Sequence, residues 1–155
     1  LNGAGSDRDG LAGPAGGAIR LAGPGDLPRI SAIRLGVREN RLDDPGSITT
    51  AMCVTFMADH GDFWVHDIDG VITGFSAADR RDGSVWALFV DAPYTGRGIG
   101  LALLRRACAT LREAGYRYAT LTTGAGTYAE GFYRTDGWVE MSRTRKGEIG
   151  FRKGL

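Results

Sequence analysis

Glycines occupy positions 96, 98 and 100 of the stretch DAPYTGRGIGLALLRRAC, which runs from Asp91 to Cys108. Alternate glycines strip side chains from one face of a turn, so the backbone N–H groups of Gly96 to Gly100 can converge on one point. Leu103, Leu104, Ala107, Cys108 and Leu111 follow at helical spacing, with Arg105, Arg106 and Arg112 expected to face out. A helix that opens there leaves its first N–H groups without partners and presents the positive end of its dipole. Such a turn suits an anion, most naturally a phosphate or diphosphate.

Two familiar phosphate-binding patterns fail. A Walker A loop needs Lys and Ser or Thr after its last glycine, and here Leu101 and Ala102 follow Gly100. A Rossmann fingerprint needs a glycine six positions in, where this chain has Leu101 or Leu103,. Cys53 and Cys108 have neither a CxxC partner nor a nearby His. They read as buried small hydrophobes rather than as a disulfide or a metal site.

The elements that must carry the turn follow from the pattern. AIRLA, from Ala18, reads as a strand, and Asp26 with Pro28 opens a helix running to about Asn40,. A second helix is expected after Ser47, Thr49 or Thr50, ending at Gly61. Residues 62–90 read as a three-stranded meander turning at Asp69-Gly70 and Asp82-Gly83,. Beyond the glycine turn and its helix, YRYATLTT is a strand, and Thr127 with Glu130 makes a capping box for a short helix stopped at Gly137,. A hairpin around Lys146-Gly147 closes the chain. Seven strands and four helices in this order predict an α/β (α+β) fold, a mixed sheet with helices on its faces. Residues 1–18, rich in Gly, Ala and Pro, are expected to be a flexible tail, and 19–155 a single domain,.

Composition narrows the function. The 155 residues are 43% hydrophobic and 24% charged with a net charge of +1, which argues against a nucleic-acid partner. No apolar run is long enough to cross a bilayer, and the start lacks the features of a signal peptide. A cytoplasmic protein with no membrane partner is the expectation.

The strand Leu88-Phe89-Val90, the linker with Pro93 and the turn Thr95-Gly96-Arg97-Gly98-Ile99-Gly100 together resemble the acetyl-CoA-binding motif of the GNAT superfamily, the GCN5-related N-acetyltransferases. TYAEGFYRTDGW resembles a second segment of that family through Ala129, Phe132, Tyr133, Gly137 and Trp138. IRLAGPGDLPRI is similar to the usual opening, a strand running into an Asp-capped helix. The chain further resembles small bacterial members in its VREN-RL-DP stretch and its closing GE. Two departures stand out: Thr95 replaces a Gln or Arg, and Gly126 stands where an Asn is common.

The resemblance implies a GNAT fold, with a mostly antiparallel sheet whose fourth and fifth strands, counted from Ile19, run parallel and splay apart. It implies transfer of acetyl from acetyl-CoA, a cosubstrate, to an amine on a small molecule or a protein, with no metal. Leu88, Phe89 and Val90 would line the pantetheine arm, with the Val90 N–H as oxyanion donor. Thr95 to Gly100 would hold the diphosphate, with Arg97 supplying charge, and Gly126 and Tyr133 would complete the cofactor site. Tyr133 stands at the position of the general acid that protonates the departing thiolate. Arg105 and Arg106 could reach the 3′-phosphate. For the base, many relatives place a Glu on the strand that ends at Val90, where this chain has none; Glu39 is the best-placed carboxylate, with His66 and Asp79 as other options, Asp82 and Asp91 read as turn residues, and a base acting through ordered water or an amine already neutral in solution equally admissible. Glu39, Asp43 and Asp44 would favour a cationic acceptor. A homodimer is a further expectation, with the C-terminal hairpin as its contact edge. Two other readings stay open: a non-catalytic acyl-CoA-binding module for sensing or regulation, and a nucleotide-phosphate protein, which both failed motifs disfavour.

Overall fold

A computed structural model describes residues 11–36, 50–55 and 61–155. Strands β1 (Leu11–Ala12) and β2 (Ala18–Leu21) lead into helix α1 (Leu27–Gly36), and α2 covers Thr50–Thr55. The meander is β3 (Gly61–Ile68), β4 (Val71–Asp79) and β5 (Ser84–Val90). Helix α3 (Ile99–Glu113), β6 (Tyr118–Gly124), α4 (Tyr128–Thr135), β7 (Val139–Arg143) and β8 (Glu148–Gly154) complete the chain. The strands form one sheet in the order β1-β2-β3-β4-β5-β6-β8-β7. Every neighbouring pair is antiparallel except β5 and β6.

The expected parallel pair is present one strand number later, because an eighth strand precedes it. Residues 11–18, expected to be tail, instead form β1 and a 3₁₀ turn over Pro14–Gly16. Local pattern gives this segment little to hold it; His66 does. Nε2 of His66 lies 2.8 Å from the Pro14 carbonyl oxygen. That oxygen can only accept, so Nε2 carries the hydrogen. Nδ1 lies 2.6 Å from the Thr73 hydroxyl oxygen on the neighbouring strand.

Buried clusters cover both faces of the sheet, and a third joins Ile19 and Trp64 to Ile99 and Leu103 of α3. On one face, Leu104, Ala107 and Leu111 of α3 pack with Tyr133, Trp138, Leu121 and Phe151. On the other, Leu27, Ile30 and Ile33 of α1 cover Phe63, Phe75 and Ala77. Each fully buried Leu or Ile is worth about 1.5–3 kcal/mol, so α3 and α1 are held by their apolar faces. Arg106, expected to face out, instead lies with its guanidinium 4.0 Å from the centre of the Trp64 ring. Asp26 also differs from expectation. The 3₁₀ turn Pro24–Asp26 precedes α1, and Asp26 accepts from the Gly23 N–H at 2.8 Å and from both terminal nitrogens of Arg20. No helix among the described residues is long and apolar enough to cross a membrane.

Candidate active site

Strands β4 and β5 pair from Asp79↔Ser84 to Gly74↔Val90, whereas β5 and β6 share the single pair Ser84↔Thr120. The two parallel strands therefore part beyond Ser84. The Asp91 N–H donates to the Thr73 carbonyl on the β4 side at 2.8 Å. Successive residues of a strand point their backbone groups to opposite edges. The N–H and C=O groups of Val90 and Leu88 therefore face the gap.

The chain leaves β5 through a 3₁₀ turn, Ala92–Tyr94, where Asp91 accepts from the Ala92 N–H at 3.1 Å. The Thr95 hydroxyl donates to the Ala92 carbonyl at 3.0 Å and closes that turn. Gly96 and Gly98 then take φ of 77° and 82°, a left-handed conformation that side chains disfavour. Gly98 is the N-cap of α3, with no side-chain cap and no acidic residue in the first turn. The first backbone bond of the helix runs from the Ala102 N–H to the Gly98 carbonyl. Among the described residues, no amide from Gly96 to Leu101 reaches a backbone carbonyl with hydrogen-bond geometry. These donors are what an anion would meet.

A cleft of about 240 Å³ runs from this turn into the gap. Leu88, Phe89 and Val90 form one wall, and Thr95, Gly96, Gly98, Ile99 and Gly100 form its end. Ala129, Phe132 and Tyr133 of α4 close the other wall. Tyr133 is buried among aromatic rings, edge-on to Phe132 at 5.4 Å and to Trp138 at 5.8 Å. Burial, and secondarily the neighbouring Cys108, push its phenol above the usual tyrosine range, so it stays protonated at neutral pH,. Burial also raises the Cys108 thiol to about 11. The only fully enclosed side-chain polar atom without a partner among the described residues is Arg106 Nε.

Of the residues expected to contact the pantetheine arm, the diphosphate and the thioester, all but Arg97 and Gly126 line this cleft. Arg97 is exposed and lies over the Tyr94 ring at 5.5 Å. Gly126 gives its N–H to Glu130 Oε1 at 2.8 Å. That bond shifts the expected capping box by one residue: Thr127 Oγ1 accepts from the Glu130 N–H, but Glu130 reaches back to Gly126 rather than to Thr127.

The candidate bases separate as sharply. Glu39, like Asp43 and Asp44, lies outside the described residues. His66 is fully buried against Thr73 and Pro14. Asp79 is buried and bonded to the Arg81 guanidinium. Asp91 pairs with Arg29 at 2.6 Å, and Asp82 accepts from the Ser84 N–H. His66 and Asp79 are thus bonded to Thr73 and Pro14 and to Arg81, and neither lines the cleft. No cluster of His, Cys, Asp and Glu among the described residues could hold a metal ion.

Tyr94, Leu101 and Tyr128 also line the cleft and were not singled out. Tyr128 precedes Phe132 by four residues, just as Ala129 precedes Tyr133, so the helical repeat of the second motif was a signal for it.

No curated protein sequence matches the chain. A GCN5-related N-acetyltransferase structure from Rhodopseudomonas palustris superposes with a TM-score of 0.77 at 18% identity, over 94% of this chain and 100% of that one. The PaiA N-acetyltransferase of Thermoplasma acidophilum, solved in complex with coenzyme A, gives 0.77 at 16% identity, over 90% and 99%. YncA of Salmonella typhimurium, a putative acetyltransferase solved with acetyl-CoA, gives 0.70 at 18%, over 90% and 94%. At these identities the likeness speaks to the fold. The family model for the acetyltransferase (GNAT) domain matches residues 46–151, more than half of the sequence, and the chain belongs to that family.

Proposed function

We propose that this chain transfers an acetyl group from acetyl-CoA to an amine by direct attack on the thioester, with Tyr133 as the general acid. One observation carries the reading: a single cleft is lined by the glycine turn, by the open edge of β5 and by Tyr133, and among the described residues no amide from Gly96 to Leu101 reaches a backbone carbonyl. The amides receive the diphosphate. The free backbone edge at Leu88 and Val90 pairs with the pantetheine amides as an added strand would. The Val90 N–H faces the gap and donates to the oxyanion that forms when the amine attacks the carbonyl carbon. As the C–S bond breaks, Tyr133 gives its proton to the sulfur. Its raised pKa keeps that proton available at neutral pH,. Glu39 takes the proton that the amine must lose. Its support is that His66, Asp79 and Asp91 are committed to Thr73 and Pro14, to Arg81 and to Arg29. The acceptor is an amine on a small molecule or on a protein.

The test is thiol release from acetyl-CoA across a panel of amines. In Tyr133→Phe, kcat should fall by about 100-fold while the KM for acetyl-CoA stays within about 2-fold. Equal turnover by the variant removes the acid role. Coenzyme A binding without turnover on any amine makes the chain an acyl-CoA-binding module instead.

A further inference from the structure

Arg29 projects from the first turn of α1, on the face of the sheet opposite α3. Its Nε donates to the Ile72 carbonyl at 3.2 Å, and its Nη2 to Asp91 Oδ2 at 2.6 Å. One planar fork thus holds the start of β4 and the end of β5 together. Asp91 ties the start of the 3₁₀ turn that leads into the glycine turn back to the sheet. Its N–H is tied to Thr73, its Oδ1 to the Ala92 N–H and its carbonyl to the Tyr94 N–H. From there the chain passes through Thr95 directly into Gly96. The ion pair is partly exposed, with side-chain exposures of 39% and 27%, so its Coulomb energy adds little to stability.

We propose that Arg29 is a positioning residue for the glycine turn, acting through Asp91 to aim the amides of Gly96–Leu101 at the diphosphate. The inference rests on the proposed acetyl-CoA reading. Small misplacements of a pre-organised donor set are costly, and the Asp91 carboxylate is the point at which a side chain from another element grips the approach to the turn. Lysine cannot replace the fork, because a single ammonium does not reproduce two parallel donors in a plane.

Coenzyme A binding by calorimetry, with steady-state kinetics and thermal melting, tests this on Arg29→Met, Arg29→Lys, Asp91→Asn and the Arg29→Met/Asp91→Asn double variant. Each single change should weaken coenzyme A binding about 10-fold and raise the KM for acetyl-CoA in step, with kcat at saturation within about 2-fold. The double variant should bind no more weakly than the singles, because both remove one interaction. Arg29→Lys should resemble Arg29→Met. A lowered melting temperature with unchanged affinity would mean a structural role only and overturn the inference. Additive losses, or full rescue by lysine, would overturn it as well. Wild-type protein that binds no coenzyme A would sink the acetyl-CoA reading itself, and the inference with it. Wild type that binds, beside variants that bind equally well, would sink the inference alone.

Discussion

The chain opens two helices with a glycine at positive φ, and treats them in opposite ways. Before α4, Gly126 has φ of 77°, but its N–H is taken by Glu130, and Thr127 caps the Glu130 N–H. Before α3, Gly98 has φ of 82° and no side chain caps the helix. Side-chain caps are worth about 1 kcal/mol each. The first turn uses its own residues to satisfy its donors, and the second forgoes that stabilisation and keeps its donors open. A glycine at a helix start is therefore no sign of a binding site by itself. The sign is a glycine start that the local sequence declines to cap, at the end of a strand whose far edge is also unpaired.

Closing the open turn is the strongest way to break the contrast. In Gly98→Asp, a carboxylate stands beside the amides that the diphosphate needs and repels it. The strain of a left-handed aspartate is about 1 kcal/mol, and a cap restores about as much, so the melting temperature should move little. Coenzyme A affinity should fall by at least about 100-fold, since both the donors and the local potential are lost. Calorimetry with parallel melting reads both effects. Unchanged affinity would show that the amides of Gly96–Leu101 are not the anion site.

Opening the closed turn is the reciprocal change, with a smaller effect of another kind. Thr127→Ala removes the cap of α4 and should cost about 1 kcal/mol, or a drop of roughly 2–8 °C in melting temperature. Coenzyme A affinity should shift by less than about 3-fold, within ordinary non-additivity between neighbouring elements. A large affinity loss at an unchanged melting temperature would make the two turns equivalent as binding elements and erase the distinction.

The parts of this arrangement legible in the sequence are those written locally. The φ-permissive glycines, the apolar repeat of α3 and the turns of the meander each depend on a few adjacent residues, and the structure follows them. The parts that were not legible depend on distant partners. His66 looks like a candidate base until Pro14, 52 residues away, claims its Nε2. The same bond ties the segment before β2, which carries almost no large apolar side chain, to the sheet. Asp91 looks like a turn residue until Arg29, 62 residues away, grips it. Arg106 sits on the expected polar face of α3, yet the Trp64 ring draws it in. Periodicity assigns a face to a side chain but cannot say whether another element has covered that face. The capping box failed on a finer scale: Thr127 and Glu130 have the right spacing, but the left-handed Gly126 turns its own N–H toward the carboxylate.

Acid should separate the two turns most gently. The Gly126 N–H, and after it Arg134, hold the Glu130 carboxyl below its usual pKa. A group whose folded pKa is depressed contributes fully above the unfolded value of about 4.3, and that contribution is lost as pH falls through the folded value. No such group caps α3, whose first turn carries no acidic residue. In an NMR titration, the Gly126 amide resonance should therefore move with a midpoint below the ordinary carboxylate range, while those of Gly98, Ile99 and Gly100 stay still. Glu130→Gln keeps an acceptor for the Gly126 N–H but nothing that titrates, so the Gly126 shift should vanish while the bond survives. A matching titration at Gly98–Gly100 in the absence of ligand would reveal a carboxylate on the open turn, and the two helix starts would then differ only in which acid caps them.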